Sequence, residues 1–174
     1  GDRITGLDVS MDTNKAALDR ALASDATVLY VDHHFSGDIP RHPNLTAIIN
    51  EAADVCTAVL VNGHLKGRHL DWAVTGAFGD NLKDTAQSLA KGLDISPADL
   101  ASLEALGTYI NYNGYGPALQ DLHFDPKELY LRLYAATDPL DFVHHSPDFM
   151  KLSTGYKEDM ALAEGLRPIH SKPG

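Results

Sequence analysis

The sequence predicts an α/β fold: a parallel doubly wound sheet in a three-layer α/β/α arrangement, followed by a mainly helical segment. Two observations predict it. In the first third, the apolar runs Ile4-Thr5-Gly6-Leu7, Val28-Leu29-Tyr30-Val31 and Thr46-Ala47-Ile48-Ile49 fall among stretches of helical periodicity. That is the pattern of parallel strands covered by helices on both faces. From about Ser96 onward, strand-like runs give way to repeated helix-start signals.

Each element has a local reason. The first strand leads to Asp8, and Asp12-Thr13-Asn14 then offers capping oxygens for a helix reaching about Leu22, with Leu18 and Leu22 on one face beside Ala21. The second strand ends in Asp32-His33-His34, and a loop carrying Gly37, Pro40 and Pro43 separates it from the third. Residues 53–66 read as a helix with Val55, Ala58, Val59 and Leu60 apolar and Cys56 a small buried hydrophobe, and Gly67 breaks it. Ser96-Pro97-Ala98-Asp99 combines a hydroxyl cap, a first-turn proline and an acid where a capping box usually holds Glu. Asp125-Pro126-Lys127-Glu128 repeats the device, and Ser146-Pro147-Asp148 offers a third case.

Composition limits the function. With 174 residues, 44% hydrophobic and 22% charged, the chain is an ordinary globular domain able to bury a core. Its net charge is −10 and its 14 Lys and Arg are scattered singly, which makes a long nucleic acid an unlikely partner. A small anion in a metal-lined pocket, where the ion supplies positive charge, remains compatible. The single cysteine, Cys56, excludes an internal disulfide and fits a reducing compartment. No apolar stretch reaches the ~20 residues of a membrane span and no signal peptide opens the chain, so the expectation is a cytoplasmic protein without membrane contact. The start at Gly1 and the aperiodic residues 167–174 lead to the expectation that this is part of a longer protein.

Three features stand at the ends of apolar segments: Asp8, Asp32-His33-His34, and Asp80 after Trp72-Ala73-Val74-Thr75-Gly76-Ala77-Phe78-Gly79. Parallel strands point the same way, so residues after their C-terminal ends converge on one edge. Imidazole nitrogen with carboxylate oxygen suits Mn²⁺ or Zn²⁺. Singly, Asp8 and Asp80 read as caps of a following helix or turn, and adjacent histidines are common on surface loops. Together they make a metal cluster.

The order and spacing resemble the DHH phosphoesterase family, whose members include single-strand exonucleases, oligoribonucleotide and cyclic-dinucleotide phosphodiesterases, and manganese-dependent pyrophosphatases. Leu7-Asp8 is similar to the family's second motif, Val31-Asp32-His33-His34 to the third, and Gly76-Ala77-Phe78-Gly79-Asp80-Asn81 to the fourth. The resemblance covers about residues 4–82 and extends loosely to Asn111-Tyr112-Asn113-Gly114-Tyr115-Gly116, similar to a segment some relatives place near the substrate. No counterpart of the first motif precedes Asp8, nor is the family's Gly-rich C-terminal segment seen. The chain is thus expected to be an incomplete catalytic domain, with an α/β part over about 4–95 and a helical part over about 96–165.

The resemblance implies roles. Asp8 matches a carboxylate bridging two ions, and His33 and Asp80 match ligands of one of them. His34 matches a residue facing the scissile phosphate or lying just behind the metals, and Asp32 a carboxylate orienting the histidines. Asn111 and Asn113 are candidates for substrate contact, or simply end a helix. Two ions, Mn²⁺ with Mg²⁺ or Zn²⁺ possible, would activate a water for attack on a phosphodiester or phosphoanhydride bond in a small nucleotide or phosphate substrate. The alternatives are a single-strand exonuclease of the same family, which the acidic balance disfavours, and a degenerate non-catalytic binding module. His144-His145 reads as a turn before a helix, His64, His69 and His123 as surface residues, Asp12 as a cap, and Trp72 and Phe78 as core.

Overall fold

The computed structural model describes residues 1–166, so the aperiodic terminus noted above lies outside the described residues. The fold is mixed α/β. Three strands, β1 (Arg3–Leu7), β2 (Thr27–Asp32) and β3 (Leu45–Ile49), form a parallel sheet in the order β1-β2-β3. Leu7 pairs with Val31 and Asp32 with Ile49, so the residues after β1 and β2 emerge at one edge, as the sequence predicts.

Helix α1 (Met11–Ala23) crosses from β1 to β2, and its Met11, Leu18 and Leu22 bury against Val28 and Tyr30. It starts one residue before Asp12, with Ser10 at the N-cap and no side-chain cap bond, so Asp12 lies in the first turn and is not the cap. Val28 and Val31, on opposite faces of β2, are both buried, whereas Ile4 and Leu7 of β1 stay 41% and 46% exposed. Cover on both faces therefore reaches the central strand but not β1. Nor does a helix separate β2 from β3; residues 33–44 join them as an irregular loop.

Seven further α-helices account for most of the remaining described residues. Helix α2 (Thr57–His64) starts later than residue 53 and leaves Cys56 at its N-cap, buried but outside the helix. The carbonyls just before it face other segments: Val55 O meets His33 Nδ1 and Asp54 O accepts from Thr85 Oγ1. The segment before Asp80, treated with the strand ends in the sequence, is helix α3 (Leu70–Gly79). Ala73, Val74, Thr75, Ala77 and Phe78 are all buried, and a run buried almost all round carries no period to separate strand from helix. Phe78 is core as expected, whereas Trp72 is only half-buried and lines a cavity.

Helix α4 (Lys83–Ala90) follows, and then the helical half: α5 (Pro97–Tyr112), a 3-10 turn (Leu119–Asp121), α6 (Pro126–Tyr134), α7 (Pro139–His145) and α8 (Pro147–Glu164). The cap signals work as the sequence proposes. Ser96 and Asp99 form a reciprocal capping box, Asp125 accepts from the backbone of Lys127 and Glu128, and Ser146 from that of Asp148. Asp138-Pro139 is a fourth instance that the sequence reading passed over. His144 and His145 form the last turn of α7, not a separate turn.

Glycines set how closely the helices approach. A Cβ on Gly107 of α5 would overlap Thr75 O and lie 2.8 Å from Gly79 N of α3, and one on Gly76 would lie 2.6 Å from Ala58 Cβ of α2. Helix α3 is therefore wedged between α2 and α5 at backbone contact, with Cys56, Val74, Phe78, Ala86, Ala90 and Leu103 packed around it. Gly107→Ala should overpack this crossing and destabilise the fold by about 1–3 kcal/mol. Gly63→Ala, in open space in α2, should leave stability unchanged or raise it by up to about 1 kcal/mol. Thermal and denaturant unfolding of both variants would check the pair.

Candidate metal centre

The site lies where β1 and β2 end. Asp8 follows β1 with φ +58°, a left-handed conformation that Asp adopts more readily than most residues. Its amide donates to Val31 O at 3.1 Å, continuing the sheet by one bond, and Thr57 Oγ1, at the start of α2, donates to its Oδ1 at 2.8 Å. The carboxylate is thereby fixed at the sheet edge.

His33 and His34 are adjacent in sequence but anchored separately. His33 Nδ1 lies 2.9 Å from Val55 O, and His34 Nδ1 lies 2.7 Å from Asp32 Oδ1. With a carbonyl beside it, His33 Nδ1 carries a proton, so in the neutral ring the lone pair is on Nε2. That Nε2 stands 3.5 Å from Asp8 Oδ1 and 3.6 Å from Asp80 Oδ2. The rings meet edge to face at 4.5 Å.

Among the described residues, Asp8, His33 and His34 offer donor atoms all within 4.8 Å of one another, a group able to hold a metal ion. His34 thus joins the ligand-forming group, beyond the phosphate-facing position the resemblance implies. Asp80 reaches the cluster from the C-terminus of α3, not from a strand.

Asp32 is the most constrained member. It is 0% exposed; one oxygen meets His34, and Oδ2 has no hydrogen-bond partner among the described residues. An isolated buried carboxylate is costly unless positive charge lies near it. A cation held by the neighbouring donors would provide that charge, so the residues present fit a divalent ion, and imidazole with carboxylate favours a transition metal over Mg²⁺.

The hydrogen bond to Asp32 pushes the His34 pKa up, against a smaller opposing effect of burial and with further help from Asp32, Asp8 and Asp80 charge. Burial pushes the Cys56 thiol up, so it stays protonated at the cavity wall and is a poor ligand at neutral pH.

Two expected assignments change. Asn113 is 3% exposed and its amide is spent on Phe124, accepting from Phe124 N and donating to Phe124 O, both at 2.9 Å. It ties the loop after α5 to the start of α6 and has no group left for substrate. Its backbone is right-handed, so it does not end α5 as a left-handed residue either. Asn111 is exposed and lines the cavity next to the cluster. His123 is not a surface residue. It lies half-buried, with Nε2 3.0 Å from Asp159 Oδ2, Tyr112 stacked against it, and Gly155 too close to bear a side chain. Sequence reasoning also missed Thr57 and the Val55 carbonyl, since neither has a signal without the fold.

Because the His34 pKa is raised on folding, its contribution to stability is present below the unfolded value and is lost as pH rises through the folded one. In chelator-treated protein, imidazole NMR should show His34 titrating above an ordinary histidine, and Asp32→Asn should lower that midpoint. An unchanged midpoint in the variant would mean that Asp32 does not control the ring.

No family model, curated protein or solved structure matches this chain.

Proposed function

We propose that the chain carries the site of a DHH-type, metal-dependent phosphoesterase that cleaves a phosphodiester or phosphoanhydride bond in a small phosphorylated substrate. One observation carries this reading: His33 Nε2, its tautomer set by Val55 O, lies between Asp8 and Asp80 at 3.5 and 3.6 Å. The expected doubly wound, three-layer sheet and cytoplasmic location belong to the same proposal. The helix cover around β2 supports the first. For the second there is only the single cysteine and the observation that no helix among the described residues is long and apolar enough to cross a membrane.

Asp8, His33 and Asp80 would hold a divalent ion, with Mn²⁺ the first choice and Zn²⁺ or Mg²⁺ alternatives. When bound, such an ion polarises a phosphoryl oxygen and makes a coordinated water acidic enough to attack. The protein's own groups do the positioning. Thr57 holds Asp8, Val55 O holds His33, and Asp32 holds His34 through Nδ1. With Nδ1 engaged by Asp32, the His34 Nε2 is the ring atom free to meet either the ion or a phosphate oxygen.

A second reading has one observation in its favour. The donor group among the described residues is Asp8, His33 and His34, enough for one ion but not for two. A single-ion binding module without turnover would look the same at this edge.

Asp8→Asn and His33→Ala should each abolish Mn²⁺-dependent hydrolysis of bis(p-nitrophenyl) phosphate while leaving the circular dichroism spectrum intact. Asn keeps the left-handed backbone that Ala would strain by about 1–2 kcal/mol. Asp32→Asn, which acts through His34, should weaken Mn²⁺ binding by about 10–100-fold in calorimetry. Retained Mn²⁺ affinity with lost turnover in His34→Ala would assign that ring to the phosphate; lost affinity would make it a ligand. Mn²⁺ binding by the unaltered chain without any turnover would favour the binding module.

Salt dependence separates the small-substrate reading from the exonuclease. With so few basic residues available to neutralise phosphates, affinity should fall only shallowly with salt. A slope reporting many released counterions on an oligonucleotide would favour the exonuclease.

A further inference from the structure

Beside the cluster is a cavity of about 570 Å³ between α3, α5 and α6. Asp8 and Asp80 form its polar end. The remaining wall is mainly apolar and aromatic, built largely from Trp72, Ile110, Tyr130, Leu133 and Tyr134, with His69 and a few hydroxyl and amide groups between them, and among the described residues neither Lys nor Arg lines it. We propose that this cavity is the subsite for the planar aromatic part of the substrate, a nucleobase, with the phosphate at the carboxylate–histidine end; this rests on the phosphoesterase reading above.

Four features point to a base and not to an alkyl chain or a bare phosphate. A volume of this size suits a mononucleotide-sized ligand and far exceeds what phosphate alone needs. Tyr130 and Tyr134, one helical turn apart on α6 with ring centroids 6.0 Å apart, are 61% and 77% exposed. Aromatic faces left open beside Trp72 are stacking surfaces, sequence-tolerant because every base has a π-face. The Asn111 amide makes no hydrogen bond among the described residues, unlike that of Asn113. It offers one donor edge and one acceptor, the pattern that pairs with a base edge. Finally, with neither Lys nor Arg on the wall among the described residues, the anionic part of a ligand is best placed at the carboxylate–histidine end, where a bound divalent ion would offset its charge.

Trp72 is the only tryptophan, so its emission reports on this cavity alone. At fixed Mn²⁺, adenosine monophosphate should change Trp72 emission saturably, and Tyr134→Ala, at an exposed position where folding is not at risk, should weaken that binding about tenfold. Adenosine without phosphate should produce the same change more weakly, with or without Mn²⁺. Inorganic phosphate should leave the emission unaltered, and octyl phosphate should bind far less well than the nucleotide. Octyl phosphate matching the nucleotide, or no response to adenosine and its monophosphate, would overturn the subsite. The two readings fail separately. If bis(p-nitrophenyl) phosphate is not hydrolysed but adenosine still changes Trp72 emission, the base subsite stands and the phosphoesterase falls. If hydrolysis proceeds while neither adenosine ligand alters Trp72, only the subsite falls.

Discussion

Backbone contact between α3 and α5 governs the layout of this molecule. Gly79 and Gly107 allow it, and Gly76 allows a similar approach of α3 to α2. Asp80 directly follows Gly79, so the depth of the crossing sets how far its carboxylate extends towards His33. The same wedge seats α2, whose first residue, Thr57, reaches Asp8. One wall of the aromatic cavity is α3 itself. A side chain at the crossing would therefore disturb the sheet edge and the cavity together, because cores transmit displacement instead of absorbing it.

The two histidines show how adjacent residues acquire different behaviour. His33 is held by a neutral carbonyl and His34 by a buried carboxylate. The first partner fixes a tautomer; the second also stabilises a positive charge. Asp32 bears the cost, since its second oxygen is buried without a partner among the described residues. Tyr30 feels the same carboxylate: burial first, and Asp32 second, push its phenol pKa up, and its hydroxyl donates to Val9 O. This end of β2 is thus an electrostatically strained region packed against an ordinary apolar one.

What could be read from the sequence was mostly local. The three strands, their parallel order and the cap–proline helix starts each depend on residues within a few positions of one another, so pattern and propensity sufficed. The convergence of Asp8, His33 and Asp80 was also legible, though for Asp80 by the wrong route, since a run buried on nearly all sides, as Trp72 to Gly79 is, has no face to betray a period. Asn113 and His123 were misjudged because their partners, Phe124 and Asp159, are known only once the loop after α5 has folded back. The cavity left no trace in the sequence, since Trp72, Ile110 and Tyr134 meet only through the packing of three helices.

The absence of Lys and Arg from the cavity wall has a thermodynamic consequence. An anion entering beside Asp8 and Asp80 meets like charge, and among the described residues no Lys or Arg lines the cavity to offset it. Its affinity is then conditional on whatever cation the carboxylates and imidazoles have captured. The two events are linked, and linkage is reciprocal: whatever factor the cation adds to anion affinity, the anion adds to cation affinity. Free divalent ion would then act as a throttle on anion occupancy, and the anion in turn on that of the ion.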